Sequence, residues 1–157
     1  MAESAHYAIL VVDDEELVRN LVVTLLARLG HSYITAADGV DALGRMKGNK
    51  IDAVITDIKM PNMDGVALTI EILKRYPGLP IMVMTAFGEE YSAGAAISAG
   101  AREFITKPFS PEEFSVQLQK MINDSETIKR LKSEKVLDEN VQDLMNELEE
   151  TLKEKEN

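Results

Sequence analysis

The sequence predicts a protein of the α/β class, in which helices cover both faces of a parallel sheet. Two observations support this prediction: short apolar segments alternate with segments of helical periodicity, and the alternation repeats five times. Parallel strands need a crossover between them, and a helix usually provides it. We therefore expect a three-layer sandwich with five strands in its central sheet.

The five predicted strands are apolar runs that are too short for whole helices and suit burial on both faces. They cover residues 8–12, 33–37, 51–56, 81–84 and 103–106. The first run is rich in β-branched residues and ends abruptly at Asp13 and Asp14. Each run is followed by a segment that favours a helix.

The first helix has the clearest pattern, because Leu17, Leu21, Leu25 and Leu29 recur every four residues before Gly30. Apolar residues at this spacing predict a stripe that packs on the sheet, and glycine is a common helix terminator. The later helices are predicted over residues 40–47, 66–76, 90–98 and 111–122. Ser110, Pro111 and Glu113 fit the N-cap, first and third positions of the last one.

Beyond residue 122 the sequence becomes strongly polar, so we divide the chain into a domain over 1–122 and a tail over 123–157. Asn123, Asp124 and Ser125 mark either a break or a surface turn of a continuing helix. Four apolar residues then form a heptad seam, namely Leu137, Val141, Leu144 and Leu148. This spacing predicts a helical, coiled-coil tail that dimerises; a solvated helix that frays is the alternative.

Composition excludes several kinds of protein. The chain has no cysteine, which rules out a disulfide framework and a thiolate zinc site. Its net charge of -10 argues against direct binding of nucleic acid. We find no apolar run near the roughly 18–20 residues of a membrane span and expect a soluble, cytoplasmic protein. His6 and His31 are expected in solvent near the ends of elements.

Polar residues close four of the predicted strands: Asp13 and Asp14, Asp57, Thr85, and Lys107. Open α/β sheets bind ligands at the carboxyl ends of their strands, so we expect these side chains to meet. Taken singly, each has a structural interpretation as a cap, a turn residue, a strand end or a surface charge. Together, three carboxylates call for a divalent cation such as Mg²⁺, while the lysine and the threonine suit a phosphoryl group.

At this point the sequence resembles the receiver domain of two-component response regulators, over about residues 7–122. The matching segments are VVDDE at 11–15, ADG at 37–39, TDIKMPNMDG at 56–65, MTA at 84–86 and ITKPF at 105–109. The resemblance implies a flavodoxin-like, doubly wound sheet of strand order 2-1-3-4-5. It also implies a function.

By this resemblance, Asp57 is the nucleophile that takes a phosphoryl group from a sensor histidine kinase or a phosphotransfer protein. Asp14, Asp57 and the backbone carbonyl of Lys59 are implied to ligate Mg²⁺, for which Mn²⁺ can substitute, and Asp13 to act through water. Lys107 is implied to pair with a phosphoryl oxygen. We expect the peptide bond after Lys107 to be cis, which costs little before proline.

The resemblance also implies a switch. Thr85 would move to the phosphoryl group, and Phe104 would turn into the space that Thr85 leaves. The altered surface would be that of the fourth helix, fifth strand and fifth helix, where a downstream protein target or a second copy of the chain binds. We therefore expect a signalling switch that catalyses its own phosphorylation and dephosphorylation, and not a turnover enzyme.

Other interpretations remain open. A haloacid-dehalogenase-type hydrolase also forms an aspartyl phosphate, but the motif of those enzymes is Asp-x-Asp after the first strand. This chain has adjacent Asp13 and Asp14 and its candidate nucleophile after the third strand. An interaction module with an idle site is a further alternative. Both a single-domain regulator and an N-terminal receiver fragment of a larger transcription regulator fit the sequence.

Overall fold

The computed structural model describes residues 5–156 of the chain. It divides into two units, of which the first ends at Ile122 and the second begins at Asn123. The strands are Ala8–Val12 (β1), Ser32–Ala36 (β2), Ala53–Asp57 (β3), Ile81–Ala86 (β4) and Glu103–Lys107 (β5). The helices are Glu16–Arg28 (α1), Gly39–Met46 (α2), Gly65–Arg75 (α3), Glu90–Ala99 (α4) and Pro111–Glu156 (α5).

The strands form one parallel sheet in the order β2-β1-β3-β4-β5. This confirms the predicted fold class and the strand order that the resemblance implies. The register places Val12 opposite Thr56, and Asp57 opposite Met84. The carboxyl ends of the central strands therefore lie at one edge of the sheet, where the polar residues were expected to meet.

Two apolar clusters fill the spaces on either side of the sheet. On one face, Val11 and Ile55 lie in a cluster with residues of α1 and α5, including Leu26 and Phe114. On the other face, α2, α3 and α4 contribute the buried residues Ala42, Met46, Leu68, Ile72, Ala93 and Ala96. Consecutive residues of a strand face opposite sides of the sheet, so both faces of the sheet are buried within the three-layer sandwich.

Hydrogen-bonding side chains fix the starts of several helices. Ser110 Oγ accepts from the Glu113 N–H at 3.0 Å, which confirms the predicted start of α5. Asp64 Oδ1 accepts from the Ala67 N–H at 2.8 Å at the start of α3. Gly65 follows directly, and a Cβ there would collide with the Asp57 carbonyl oxygen. Only glycine therefore lets α3 begin so close to Asp57.

Two expectations about individual side chains were wrong. Leu17 is 83% exposed and Leu21 46%, whereas Val22, Leu25 and Leu26 are buried. Residues four apart are offset by about 40° around a helix of 3.6 residues per turn, so a run of leucines drifts off one face. His31 is buried, not in solvent, and its Nδ1 accepts from the Tyr7 N–H at 3.1 Å.

The element boundaries differ most at the strands. β2 begins and ends one residue early, and β3 begins at Ala53, two residues later than predicted. Three strands extend beyond their predicted ends to include Asp57, Thr85 and Lys107. These residues are thus members of the strands, and the sheet itself positions them.

The second unit is helical throughout the residues described. Because α5 includes residues 123–125, the alternative of a break there is wrong. The seam residues Leu137, Val141, Leu144 and Leu148 are between 54% and 65% exposed. Dimerisation through this seam stays a prediction. No helix in the described range 5–156 has the length and apolarity to cross a membrane.

Candidate functional site

Three carboxylates meet where β1 and β3 end. One oxygen from each of Asp13, Asp14 and Asp57 lies within 4.8 Å of the others. Asp13 is fully buried and Asp57 is 7% exposed, whereas Asp14 is exposed. The sequence predicted this cluster, and its oxygen atoms are the type of ligand that Mg²⁺ prefers.

Lys107, the last residue of β5, joins two of these carboxylates. Its Nζ lies 3.1 Å from Asp13 Oδ2 and 3.1 Å from Asp57 Oδ1. The Lys107–Pro108 peptide bond is cis, as expected. One ammonium thus bridges the residues that close β1 and β3, even though it is distant from both in sequence.

Three hydrogen bonds hold Asp13 in place. The Glu15 N–H donates to its Oδ1 at 2.9 Å, and the Asp13 N–H donates to the Ala36 carbonyl at 3.2 Å. The Arg19 guanidinium donates to the Asp13 carbonyl at 2.6 Å. The start of α1 and the end of β2 therefore fix both the side chain and the backbone of this residue.

Asp57 presents its two carboxylate oxygens differently. Oδ1 accepts from the Ile58 N–H at 3.0 Å and also contacts Lys107. Within residues 5–156, no hydrogen bond reaches Oδ2. The backbone is held by the Gly65 N–H, which donates to the Ile58 carbonyl at 2.7 Å. The fold thus orients the carboxylate through one oxygen and leaves the other to a ligand or a reacting group.

Burial and crowding set the protonation of this cluster. Burial, and next the negative charge of Asp13, raise the pKa of Asp57 from 3.8 to about 6, although Lys107 opposes the shift. Burial likewise raises the pKa of Asp13. For Lys107, burial lowers the pKa, but attraction to Asp57 and Asp13 outweighs it and raises the pKa on balance. The single ammonium therefore does not fully offset the cost of ionising the two buried carboxylates.

Thr85 and Phe104 line one cavity between α4 and β5. The cavity has a volume of about 310 Å³ and is also lined by Ala93, Gly94 and Ile97. Thr85 is 3% exposed, whereas the ring of Phe104 is half-exposed. The structure thus brings together the two residues that the resemblance assigned to a switch, with open space between them.

Glu89 is a member of the site that the sequence did not reveal. Its Oε1 lies 2.9 Å from Lys59 Nζ, and its Oε2 accepts from the Ala86 N–H at 3.0 Å. Glu89 and Glu90 are adjacent at the start of α4, and nothing in the local sequence tells which of them turns back to the sheet. Lys59 was expected to contribute its carbonyl to the metal site, and its side chain also lies at this edge of the sheet through its contact with Glu89.

Comparison with known proteins identifies the family that this chain matches. Residues 9–119 match the family described as the response regulator receiver domain. The alkaline phosphatase synthesis transcriptional regulatory protein PhoP of Bacillus subtilis is 36% identical over 118 residues, which are 75% of this chain and 49% of that protein. The chain thus spans about half the length of the curated relatives it matches.

Solved structures show the same similarity. NtrX from Brucella abortus superposes with a TM-score of 0.80 at 33% identity, covering 82% of this chain and 29% of that chain. A response regulator receiver domain protein from Clostridium thermocellum superposes with a TM-score of 0.71 at 32% identity. That comparison covers 80% of this chain and 98% of the other.

Proposed function

This chain belongs to the response regulator receiver domain family, and we propose that it is a signalling switch that accepts a phosphoryl group on Asp57. The donor is the phosphohistidine of a sensor histidine kinase or of a phosphotransfer protein. The observation that carries the proposal is the meeting of Asp57 with Asp13, Asp14 and Lys107, in which Lys107 contacts only Oδ1 of Asp57. Such a site supplies a nucleophilic carboxylate, the Lys107 ammonium and metal ligands together.

The chemistry needs little covalent machinery. An oxygen of Asp57 attacks phosphorus, the phosphorus–nitrogen bond of the donor breaks, and its electron pair leaves with the imidazole, which takes up a proton. The product is an acyl phosphate. Lys107 stays close enough to pair with an oxygen of the transferred group, and positioning with charge stabilisation is the main source of rate in such reactions.

The residues of the site fit a bound Mg²⁺. Three carboxylates against one ammonium leave a charge of about -2, which a divalent cation would neutralise. We propose Asp14, Asp57 and the Lys59 carbonyl as direct ligands, Asp13 as a ligand through water, and Mn²⁺ as a substitute. When bound, the ion would neutralise charge on the phosphoryl oxygens.

The cavity beside Thr85 supports the switch. A phosphoryl group adds a charge of about -2 with three acceptor oxygens, and the Thr85 hydroxyl can donate to one of them. Movement of Thr85 opens space for the half-exposed Phe104 ring. Without a hydroxyl group, Phe104 is held by packing alone. The surface formed by α4, β5 and α5 changes as a result and binds a downstream protein target or a second copy.

The phosphoryl donor must dock near the site, and an apolar patch is available there. Leu17 and Leu21 are exposed on α1, and Leu21 lines a cavity of about 380 Å³ with Lys107, Pro108 and Phe109. A partner that covers this patch brings its phosphohistidine to the edge that holds Asp57. We place this encounter in the cytoplasm.

Output through protein contact fits the charge of the domain better than contact with DNA. Residues 1–122 hold 16 acidic and 11 basic residues, a net charge of -5 that repels phosphates. PhoP is described as a transcriptional regulatory protein, and an attachment of this receiver to such an output is the alternative. A dimer through the tail suits either arrangement.

The decisive experiment is phosphorylation by a small donor. The protein is incubated with acetyl phosphate and Mg²⁺ and weighed by mass spectrometry beside Asp57→Asn and the control Asp124→Asn, an exposed aspartate outside the site. We expect the wild type and the control to gain one phosphoryl group and Asp57→Asn to gain none. A wild type that binds Mg²⁺ but gains no phosphoryl group overturns the proposal.

A further inference from the structure

Glu89 lies just before α4 but does not cap it. Among the described residues, its carboxylate makes no hydrogen bond to an α4 N–H. It turns back instead to the Ala86 N–H at 3.0 Å and to the Lys59 ammonium at 2.9 Å. Its side chain is 12% exposed, whereas that of Lys59 is 76% exposed. These two contacts, that of Ala86 first, hold the pKa of Glu89 below its ordinary value.

The Ala86 N–H points towards the site. The Ile58 N–H donates to the Met84 carbonyl at 3.2 Å, so Met84 directs its backbone groups to β3. Alternate residues of a strand face the same neighbour, and Ala86 therefore also faces β3. Because β3 ends at Asp57, the Ala86 N–H has no strand partner on that side. The Ala86 N–H thus lies where the pairing of β3 with β4 ends, and it faces the edge of the sheet that holds Asp57.

Lys59 provides a second group at the same edge. It follows Asp57 by two residues, and its long side chain is tethered only through Glu89 in the range 5–156. A phosphoryl group on Asp57 would carry three oxygens that seek charged or backbone donors. The carboxylate of Glu89 already holds one of each kind.

We propose that Glu89 is an internal competitor of the phosphoryl group, which holds the Ala86 N–H and the Lys59 ammonium until phosphorylation displaces it. This inference rests on the proposed function of Asp57. Displacement releases Glu89, which directly precedes α4, so the same event that satisfies the phosphoryl oxygens also frees the N-terminal end of that helix. Glu89 is thus a positioning residue that couples the site to α4.

The test compares removal of Glu89 with removal of its neighbour. Affinity for beryllofluoride, a phosphoryl mimic, is measured by NMR titration at saturating Mg²⁺ for wild type, Glu89→Ala, Glu89→Gln and Glu90→Gln. Glu90 is exposed, and its substitution removes the same charge one residue away. We expect Glu89→Ala to bind about two- to tenfold tighter, as loss of a competing hydrogen bond implies. Glu89→Gln should gain less, because its amide oxygen can still accept, and Glu90→Gln should change less than twofold.

A second readout needs no phosphoryl mimic. Amide exchange at Ala86 in the free protein should accelerate by a similar factor in Glu89→Ala and stay unchanged in Glu90→Gln. Equal gains in affinity for Glu89→Ala and Glu90→Gln would show a general charge effect and overturn the inference. So would unchanged affinity and exchange in Glu89→Ala while the wild type binds the mimic, and the proposed function would then stand. A wild type that binds no beryllofluoride overturns both.

Discussion

Asp57→Asn should stabilise the metal-free protein at neutral pH, although it removes the candidate nucleophile. Asp57 is 7% exposed, and burial with the repulsion of Asp13 raises its pKa from 3.8 to about 6. Asparagine has nearly the same shape and cannot ionise. The substitution therefore removes the cost of a buried, repelled carboxylate and keeps the packing.

The size of the effect follows from proton linkage. Between pH 3.8 and about 6 the folded protein binds a proton that the unfolded chain has lost, so stability falls as pH rises through this window. Above the window the loss is complete and amounts to about 3 kcal/mol, since one pKa unit corresponds to about 1.4 kcal/mol. At pH 5 about half of this cost remains.

Urea unfolding in EDTA, followed by far-ultraviolet circular dichroism, measures this difference. At pH 7.5 Asp57→Asn should exceed the wild type by up to about 3 kcal/mol, and by about half as much at pH 5. Asp124→Asn should match the wild type at both values. Added Mg²⁺ should stabilise the wild type more than Asp57→Asn. A variant less stable than the wild type at pH 7.5, or a gain that does not shrink at pH 5, would refute the reasoning.

Three further substitutions test other parts of the structure. Burial lowers the pKa of His31, so the contribution of His31 to stability should be lost as pH falls below 6.5, and the free energy of unfolding of the wild type relative to His31→Gln in urea should decrease from pH 7 to pH 5; a difference that does not change with pH would contradict this. Gly65→Ala should lower the free energy of unfolding by about 1–3 kcal/mol, because the added Cβ meets the Asp57 backbone; an unchanged urea midpoint would contradict this. Gly94→Leu should fill the cavity beside Phe104, so beryllofluoride should still bind but no longer shift the NMR signals of that ring.

The site was predictable where topology alone decides it. Asp13, Asp57 and Lys107 close strands of a parallel sheet, and such strand ends meet whatever the helices do. Short apolar runs identified the strands, and their spacing required helices between them. The meeting of Lys107 with two carboxylates needed only this register and one long side chain.

Contacts that depend on how loops turn were not predictable. Glu89 and Glu90 have the same chemistry, and only the folded β4–α4 connection selects the first. His31 is buried because it meets the Tyr7 backbone, 24 residues away, and no local pattern encodes that approach. The exposure of Leu17 likewise reflects which face of α1 packs on the sheet, which a spacing of four could not specify.

The place of β5 in the strand order has a wider consequence. Among the five strands it is an outermost one that carries a site residue, and it pairs only with β4. Lys107 therefore lies on an edge strand of the sheet, where another protein can bind to the strand backbone. Because thermodynamic coupling is reciprocal, a target that favours the phosphorylated form must itself favour phosphorylation. We expect such a target, when bound, to raise the equilibrium affinity of the site for the phosphoryl mimic beryllofluoride.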